Sequence, residues 1–274
     1  MKFTLNTLGA PNWNLEETAE RAREYGYSGV DLRLLDGEVI TLDSVRANRQ
    51  RIKALFPPQE LPVAVLATSL RLATNDPAKR QEVLAEGHDW IDLAAELGVP
   101  VIRFFAARKP VELDLDASIQ AVGEMLRSLA EHAERTNVNI GVETHDEFAS
   151  AVVTGKAVRI AGSPAVGAIW DMWHTTRAGE SPEQALNALD GCVINVHLKD
   201  ARRTSTGWEL LLLGEGEIPV KQGLRLLKHS GYDDFISVEW EKKWHPEIPE
   251  PEVAFPQHLA VLKEYVREIS DDDR

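Results

Sequence analysis

Short runs rich in Val and Ile alternate with helical stretches along the whole chain, and this alternation restricts the folds open to it. The runs lack a strict apolar–polar alternation, so both faces of the predicted sheet are covered. Repeated strand–helix units imply parallel strands joined by right-handed crossovers. The predicted strands are residues 3–8, 29–32, 63–67, 101–105, 138–143, 166–171, 193–197 and 235–239.

Eight such units predict an α/β fold with a single (β/α)8 TIM barrel, and 274 residues suit a fold of about 250. An open doubly wound sheet is the alternative. That fold usually has a glycine-rich turn after its first strand, whereas this chain has Gly9-Ala10-Pro11-Asn12 there. No linker divides residues 1–274, so we expect one domain whose last four residues, 271–274, are disordered. The predicted long helices are residues 15–25, 77–97, 115–136 and 256–269.

The charge balance restricts the partners of the chain. It has 30 basic and 44 acidic residues, a net charge of −14, whereas nucleic-acid binding needs a basic surface. We therefore expect no nucleic-acid partner. No stretch approaches the roughly 18 apolar residues of a membrane span, and the first residues do not resemble a signal peptide. These features predict a cytoplasmic protein without a membrane partner.

Four predicted strands turn from apolar to polar at a residue that can bind a metal: Glu143, Asp171, His197 and Glu239. The carboxyl ends of the strands carry the active site of a βα barrel, and neighbouring strands lie only about 4.8 Å apart. Three clustered carboxylates repel one another unless a cation neutralises them. We therefore predict one divalent metal ion, with Mn²⁺ first and Mg²⁺, Co²⁺ or Zn²⁺ as alternatives.

These motifs resemble the xylose isomerase-like TIM barrels over essentially the whole chain. That superfamily includes sugar isomerases and epimerases, inosose dehydratases, 3-dehydroshikimate dehydratases and endonuclease IV. The matching elements are Glu143, Asp171-x-x-His174, His197-x-Lys199-Asp200, Val238-Glu239 and the segment 214–219. The resemblance implies the same four metal ligands and a small sugar or polyol substrate. It leaves open whether the chain forms a homo-oligomer.

The resemblance also implies contacts to the substrate. His174 and Arg203 match substrate-binding positions, with Arg202 as an alternative to Arg203. Lys199 either joins the substrate site, pairs with Asp200 behind the metal, or simply begins a loop. Aromatic rings suit the C–H faces of sugars, and Trp13 follows the first strand.

Two reactions remain open. In the epimerases that the chain resembles, the two metal-binding glutamates, here Glu143 and Glu239, move the proton next to a carbonyl through a metal-stabilised enediolate. Those enzymes tend to carry a further glutamate where this chain has Ala149, and His145 stands two residues after Glu143 instead. The Glu-Thr-His triplet is similar to that of the 3-dehydroshikimate dehydratases, which favours His145 as the general base of a lyase.

The nuclease branch and the arginines complete the sequence-based predictions. A three-zinc nuclease needs histidines at the ends of strands three and four, where this chain has Ser69, Arg71, Arg103 and Phe105. These residues and the acidic net charge argue against a DNA-repair role. Arg33, Arg71 and Arg103 either bind an anionic group of the substrate or pair with acids at the barrel rim.

Overall fold

A closed barrel of eight parallel strands forms the centre of the protein, as the sequence predicts. The computed structural model describes residues 1–106 and 113–272. Each strand pairs with its sequence neighbours, and the first pairs with the last. The barrel strands are β1 (Lys2–Asn6), β2 (Gly29–Leu32), β3 (Val63–Arg71), β4 (Val101–Phe105), β5 (Asn139–Glu143), β6 (Val166–Asp171), β7 (Val193–Leu198) and β8 (Phe235–Val238).

Helices surround the barrel. Two short antiparallel hairpins, formed by residues 34–39 and 200–211, extend from the ends of β2 and β7. In the part of the chain that the structure describes, no helix has the length and apolar character needed to cross a membrane. The helices are α1 (Leu15–Tyr25), α2 (Leu42–Ala47), α3 (Arg49–Leu55), α4 (Pro77–Leu97), α5 (Leu115–Thr136), α6 (Ala151–Ala161), α7 (Met172–Arg177), α8 (Pro182–Ala188), α9 (Val220–His229) and α10 (Pro251–Asp272).

Helix α4 illustrates how local chemistry sets the bounds of the helices. The side chain of Asp76 accepts the backbone N–H groups of Ala78 and Lys79, and Pro77 occupies the first turn, where no N–H is needed. Gly98 ends the helix in the left-handed conformation, with φ of 71°, which a residue with a Cβ adopts only at a cost. The predicted bounds of this helix are confirmed.

Several predicted boundaries differ from the structure, some of them by one residue. Strand β1 ends at Asn6 rather than residue 8, because the Asn6 side chain accepts the N–H of Leu8 and starts a 3₁₀ turn over Thr7–Gly9. Strand β3 continues four residues further than predicted, to Arg71.

The last helix is also longer than predicted. It begins at Pro251, a residue type that suits a first turn, and contains Pro256 in its interior. It continues through Asp272, so Asp271 and Asp272 are helical rather than disordered. Asp273 and Arg274 lie outside the described residues.

The interior of the barrel changes character along its axis. Val65, Val101 and Ile169 belong to an apolar cluster separate from the larger core under the helices. Packing there is close: a Cβ on Gly167 would lie 2.5 Å from the Ile194 side chain. Toward the carboxyl ends of the strands, the buried residues become polar and charged. The barrel therefore directs its ionisable groups to one end.

His258 on α10 is a buried histidine outside that polar end. Its ring packs edge-on against Trp240, with centroids 5.0 Å apart, and the residue is 1% exposed. Neither ring nitrogen has a hydrogen-bond partner among the described residues. Burial lowers the pKa of His258 to about 3, so the ring is neutral in the folded protein at neutral pH.

This burial predicts a loss of stability in acid. A histidine in the unfolded state has a pKa of about 6.5, whereas the pKa of folded His258 is about 3. Between these pH values the unfolded state therefore binds one more proton than the folded state. The free energy of unfolding should therefore fall by about 2–3 kcal/mol between pH 7.5 and 4.5 through this residue alone. Urea unfolding of H258L should lack this component, while the half-exposed control H245L should retain it. Equal acid sensitivity of H258L and the parent protein would assign the effect to other groups.

Candidate metal centre and adjoining cavity

Four side chains from consecutive strands converge at the carboxyl end of the barrel. Glu143 ends β5, Asp171 ends β6, His197 lies near the end of β7, and Glu239 directly follows β8. All four are buried, and each offers a ligand atom within 4.8 Å of the others. The strand register contributes to this convergence, since Asp171 lies directly opposite His197.

The imidazole of His197 presents its Nδ1 to the carboxylates. Nδ1 lies 2.9 Å from Glu143 Oε1 and 3.4 Å from Glu239 Oε1. Burial lowers the pKa of His197, but the two carboxylates together outweigh that effect and raise the pKa to about 10. In the metal-free protein the ring is therefore a cation between two anions.

Two further cations balance the carboxylates. Lys199 Nζ lies 2.7 Å from Asp171 Oδ2 and also contacts Glu239, and Arg103 Nη1 donates to Glu143 Oε2 at 2.8 Å. Burial opposes ionisation of Lys199, yet the surrounding carboxylates hold its pKa well above the usual value.

The pKa values of the two glutamates follow the same pattern. Burial alone would raise the pKa of each, but Arg103 and His197 lower that of Glu143, and Lys199 and His197 lower that of Glu239. Both side chains are therefore carboxylates at neutral pH.

The donor set fits a divalent metal ion. Three carboxylates and one imidazole combine hard oxygen ligands with a single nitrogen, a set that suits Mn²⁺, Mg²⁺, Co²⁺ or Zn²⁺. His197 already directs Nδ1 toward the carboxylate oxygens. An ion bound among these atoms would replace the proton on Nδ1 as the positive charge facing Glu143 and Glu239.

A cavity of about 650 Å³ lies near the four residues, which are not themselves among those that line it. Trp173, His174, His145 and Glu241 are among its lining residues. Glu241 Oε1 lies 3.0 Å from Lys199 Nζ, and His174 Nε2 lies 3.8 Å from Asp171 Oδ2. The cavity therefore approaches the cluster through His174, whereas Glu241 reaches it only by way of Lys199, and the cavity has ample room for a monosaccharide.

Two histidines pack together in this cavity. The ring centroids of His145 and His174 are 4.3 Å apart. Asp171 accepts the backbone N–H of His174 and thereby begins α7, which fixes His174 one turn beyond the Asp171 carboxylate. Burial lowers the pKa of His174 to about 4, so its ring is neutral.

Comparison with known proteins identifies the family. The sequence profile of the xylose isomerase-like TIM barrels matches residues 19–265. The chain belongs to this family. An inosose isomerase of Bacillus velezensis is 25% identical to this xylose isomerase-like barrel over 244 residues, which cover 83% of this chain and 84% of the relative.

Solved structures share the fold of this xylose isomerase-like barrel. The IOLI protein with a bound zinc atom superposes with a TM-score of 0.79 at 19% identity, covering 98% of each chain. The probable 3-DHS dehydratase AsbF of Bacillus anthracis gives a TM-score of 0.77 at 16% identity, covering 96% of this chain and 99% of that one. The same architecture is therefore found in a zinc-binding protein and in a probable dehydratase.

Not every residue predicted for the substrate site reaches the cavity of this xylose isomerase-like barrel. Trp13 is 4% exposed, packs against Tyr25 and Phe255, and donates its Nε1–H to Glu252. It is a packing residue between α1 and α10 and does not line the described cavity. Arg203 lies exposed on the hairpin after β7, where its backbone N–H reaches Glu217.

Asp200 does not pair with Lys199, contrary to one sequence-based interpretation. Its carboxylate accepts the backbone N–H groups of Gly214, Gly216 and Ile218, and so ties the loop before α9 to the end of β7. A Cβ on Gly216 would lie 2.1 Å from Asp200 Oδ1, which explains the glycine there. Lys199 instead contacts the carboxylates of Asp171 and Glu239 directly.

Sequence reasoning left some functional residues open or missed them. The sequence leaves two roles open for Arg103, binding a substrate anion or pairing with an acid. In the structure Arg103 pairs with Glu143. The pattern of strand ends does not single out Glu241, which stands two residues after Glu239 and lines the cavity. The sequence pattern does not single out Asp31, which is fully buried inside the barrel.

Proposed function

We propose that the protein is a divalent-metal-dependent isomerase or epimerase of a sugar or polyol, with Mn²⁺ as its ion. The observation that supports this is the convergence of Glu143, Asp171, His197 and Glu239 beside a cavity large enough for such a substrate. The similarity to an inosose isomerase over most of both chains agrees with it. A bound divalent ion would polarise a carbonyl and stabilise the enediolate anion that forms when the neighbouring C–H loses its proton.

The protein residues would supply the proton transfer. Glu143 and Glu239 are both ionised, so either can take the proton from carbon and becomes a carboxylic acid in doing so. Return of that proton to the neighbouring carbon gives an isomer. An epimer requires the other glutamate to take up a proton from solvent first and then to deliver it to the opposite face. Arg103 and Lys199 hold the two carboxylates in place through their ion pairs.

The neutral imidazole of His174 suits a different task. Since its pKa is lowered to about 4, it does not carry a charge at neutral pH and can donate or accept a hydrogen bond to a substrate oxygen. Its fixed position at the start of α7 would orient the substrate between the two glutamates.

Deuterium exchange tests this proposal. The Mn²⁺-loaded protein is incubated with ketoses and inososes in D₂O, and the products are followed by NMR and mass spectrometry. An isomerase or epimerase should place deuterium on a carbon next to the carbonyl of recovered substrate or product. Loss of water with appearance of an enone absorbance would support the dehydratase instead. Neither result with any tested carbonyl sugar or keto-cyclitol would contradict the proposed substrate class.

A dehydratase is the second candidate because His145 lines the same cavity as His174. As the base of a lyase, His145 would remove a proton while a β-hydroxyl leaves as water. Under this alternative, His145→Gln should lower kcat by about 10² to 10⁴-fold. Under the isomerase proposal the same variant should change kcat by less than about tenfold, because the glutamates move the proton. The surface variant His132→Gln serves as the matched control.

A further inference from the structure

Asp31 in β2 faces the metal-binding histidine across the inside of the barrel. The residue is 0% exposed, and its Oδ2 lies 3.8 Å from Nε2 of His197. Strands β2 and β7 are not neighbours, since β1 and β8 lie between them. The approach of the two side chains therefore crosses the barrel interior and is independent of strand pairing.

Both side chains have polar atoms that lack a partner. Both carboxylate oxygens of Asp31 lack a hydrogen bond of acceptable geometry among the described residues, and so does Nε2 of His197. The hydroxyl groups of Thr4 and Ser237 lie beside Asp31 and act as weak donors to it, but neither makes a hydrogen bond of acceptable geometry. Burying a carboxylate without a donor is costly, so such a residue is a candidate for a role in the site above it.

The orientation of the His197 imidazole connects Asp31 with the candidate metal site. Nδ1 of His197 faces Glu143 and Glu239, at 2.9 and 3.4 Å, and Nε2 faces Asp31. A neutral imidazole that offers the Nδ1 lone pair to a metal must carry its proton on Nε2. That proton points toward Asp31.

We propose that Asp31 is a positioning residue that accepts the Nε2–H of His197 and so holds Nδ1 toward the metal. The inference rests on the metal site of the proposed function. The atoms are 3.8 Å apart, and a relative shift of about 1 Å brings them to hydrogen-bonding distance. A carboxylate acceptor would also make the imidazole a stronger ligand, as such pairs do in other metal sites.

The test uses the full-length protein loaded with Zn²⁺, which is diamagnetic and allows NMR of the ring. Long-range ¹H–¹⁵N spectra should assign the Nε2–H tautomer to His197, with a hydrogen-bonded proton signal. In Asp31→Ala this signal should be lost, and the Kd for Zn²⁺ should rise by about 10- to 100-fold. Asp31→Asn keeps an acceptor oxygen of the same shape, so it should retain the tautomer and weaken binding by about tenfold or less.

Thr4→Val is the matched control, because it removes a buried hydroxyl beside Asp31 without altering the carboxylate. It should leave the tautomer and the Kd within about threefold of the parent protein. If Asp31→Ala keeps the signal and the parent Kd while Glu239→Gln loses metal, the positioning role is wrong and the metal site stands. If Asp31→Ala does not fold, an unchanged Nε2 signal and Kd in Asp31→Asn overturn the role as well. If the parent protein binds no divalent ion, the metal site and this inference both fail.

Discussion

Glu239→Gln should lower the affinity for Mn²⁺ by at least about 100-fold and the rate of deuterium exchange by about 10³-fold. The glutamate lies within 4.8 Å of the other three ligand groups, so its charge contributes directly to binding a cation. The amide keeps the shape of the side chain but loses the charge and the ability to take up a proton. Metal content by mass spectrometry and exchange at saturating Mn²⁺ separate the two losses.

Glu241→Gln is the matched control for that variant. Glu241 stands two residues further along and lines the cavity, and it contacts Lys199 rather than belonging to the four-residue cluster. Its substitution should change metal affinity by less than about tenfold. If Glu239→Gln retains both the metal content and the exchange activity of the parent protein, the four residues do not form the metal site.

Lys199→Met should lower the free energy of unfolding of the metal-free protein by about 3–5 kcal/mol. The lysine is 1% exposed and contacts three carboxylates, those of Asp171, Glu239 and Glu241. Methionine fills a similar volume without charge, so it leaves buried carboxylates with too few counter-ions. Adding Mn²⁺ should recover much of the loss, because an ion among the same carboxylates replaces the missing positive charge.

Lys242→Met separates this effect from the general cost of removing a buried lysine. Lys242 is 6% exposed, but its ammonium group donates to the backbone carbonyls of Pro246 and Ile248 and pairs with Glu250. The free energy of unfolding is measured in guanidinium with and without Mn²⁺. Mn²⁺ should stabilise Lys199→Met more than it stabilises the parent protein, and it should stabilise Lys242→Met no more than the parent protein. Equal responses of the two variants to Mn²⁺ would contradict the assigned role of Lys199.

The sequence predicted the barrel and its polar end because both depend on local patterns. The helices over residues 77–97 and 115–136 and the strands over residues 101–105 and 166–171 have the predicted bounds. The convergence of Glu143, Asp171, His197 and Glu239 follows from their places at strand ends in a closed parallel barrel.

The remaining details depend on contacts between distant parts of the chain. Trp13 follows a strand as a cavity residue would, but its partner Glu252 lies 239 residues away, on a helix whose packing no local pattern reveals. Asp200 follows Lys199 directly, yet its partners are backbone N–H groups up to 18 residues further along the chain. The sequence could not decide whether Arg103 binds a substrate anion or pairs with an acid. The distance of 2.8 Å between Arg103 Nη1 and Glu143 Oε2 decides for the acid.

The positively charged side chains beside the carboxylates allow the barrel to fold without a bound metal ion. Glu143, Asp171 and Glu239 are matched by Arg103, His197 and Lys199, so the metal-free cluster is close to neutral. A barrel with its own counter-charges does not require an ion to complete its fold. Under the proposed function, the protein can therefore fold before it takes up metal, and one divalent ion can replace another while the barrel stays folded.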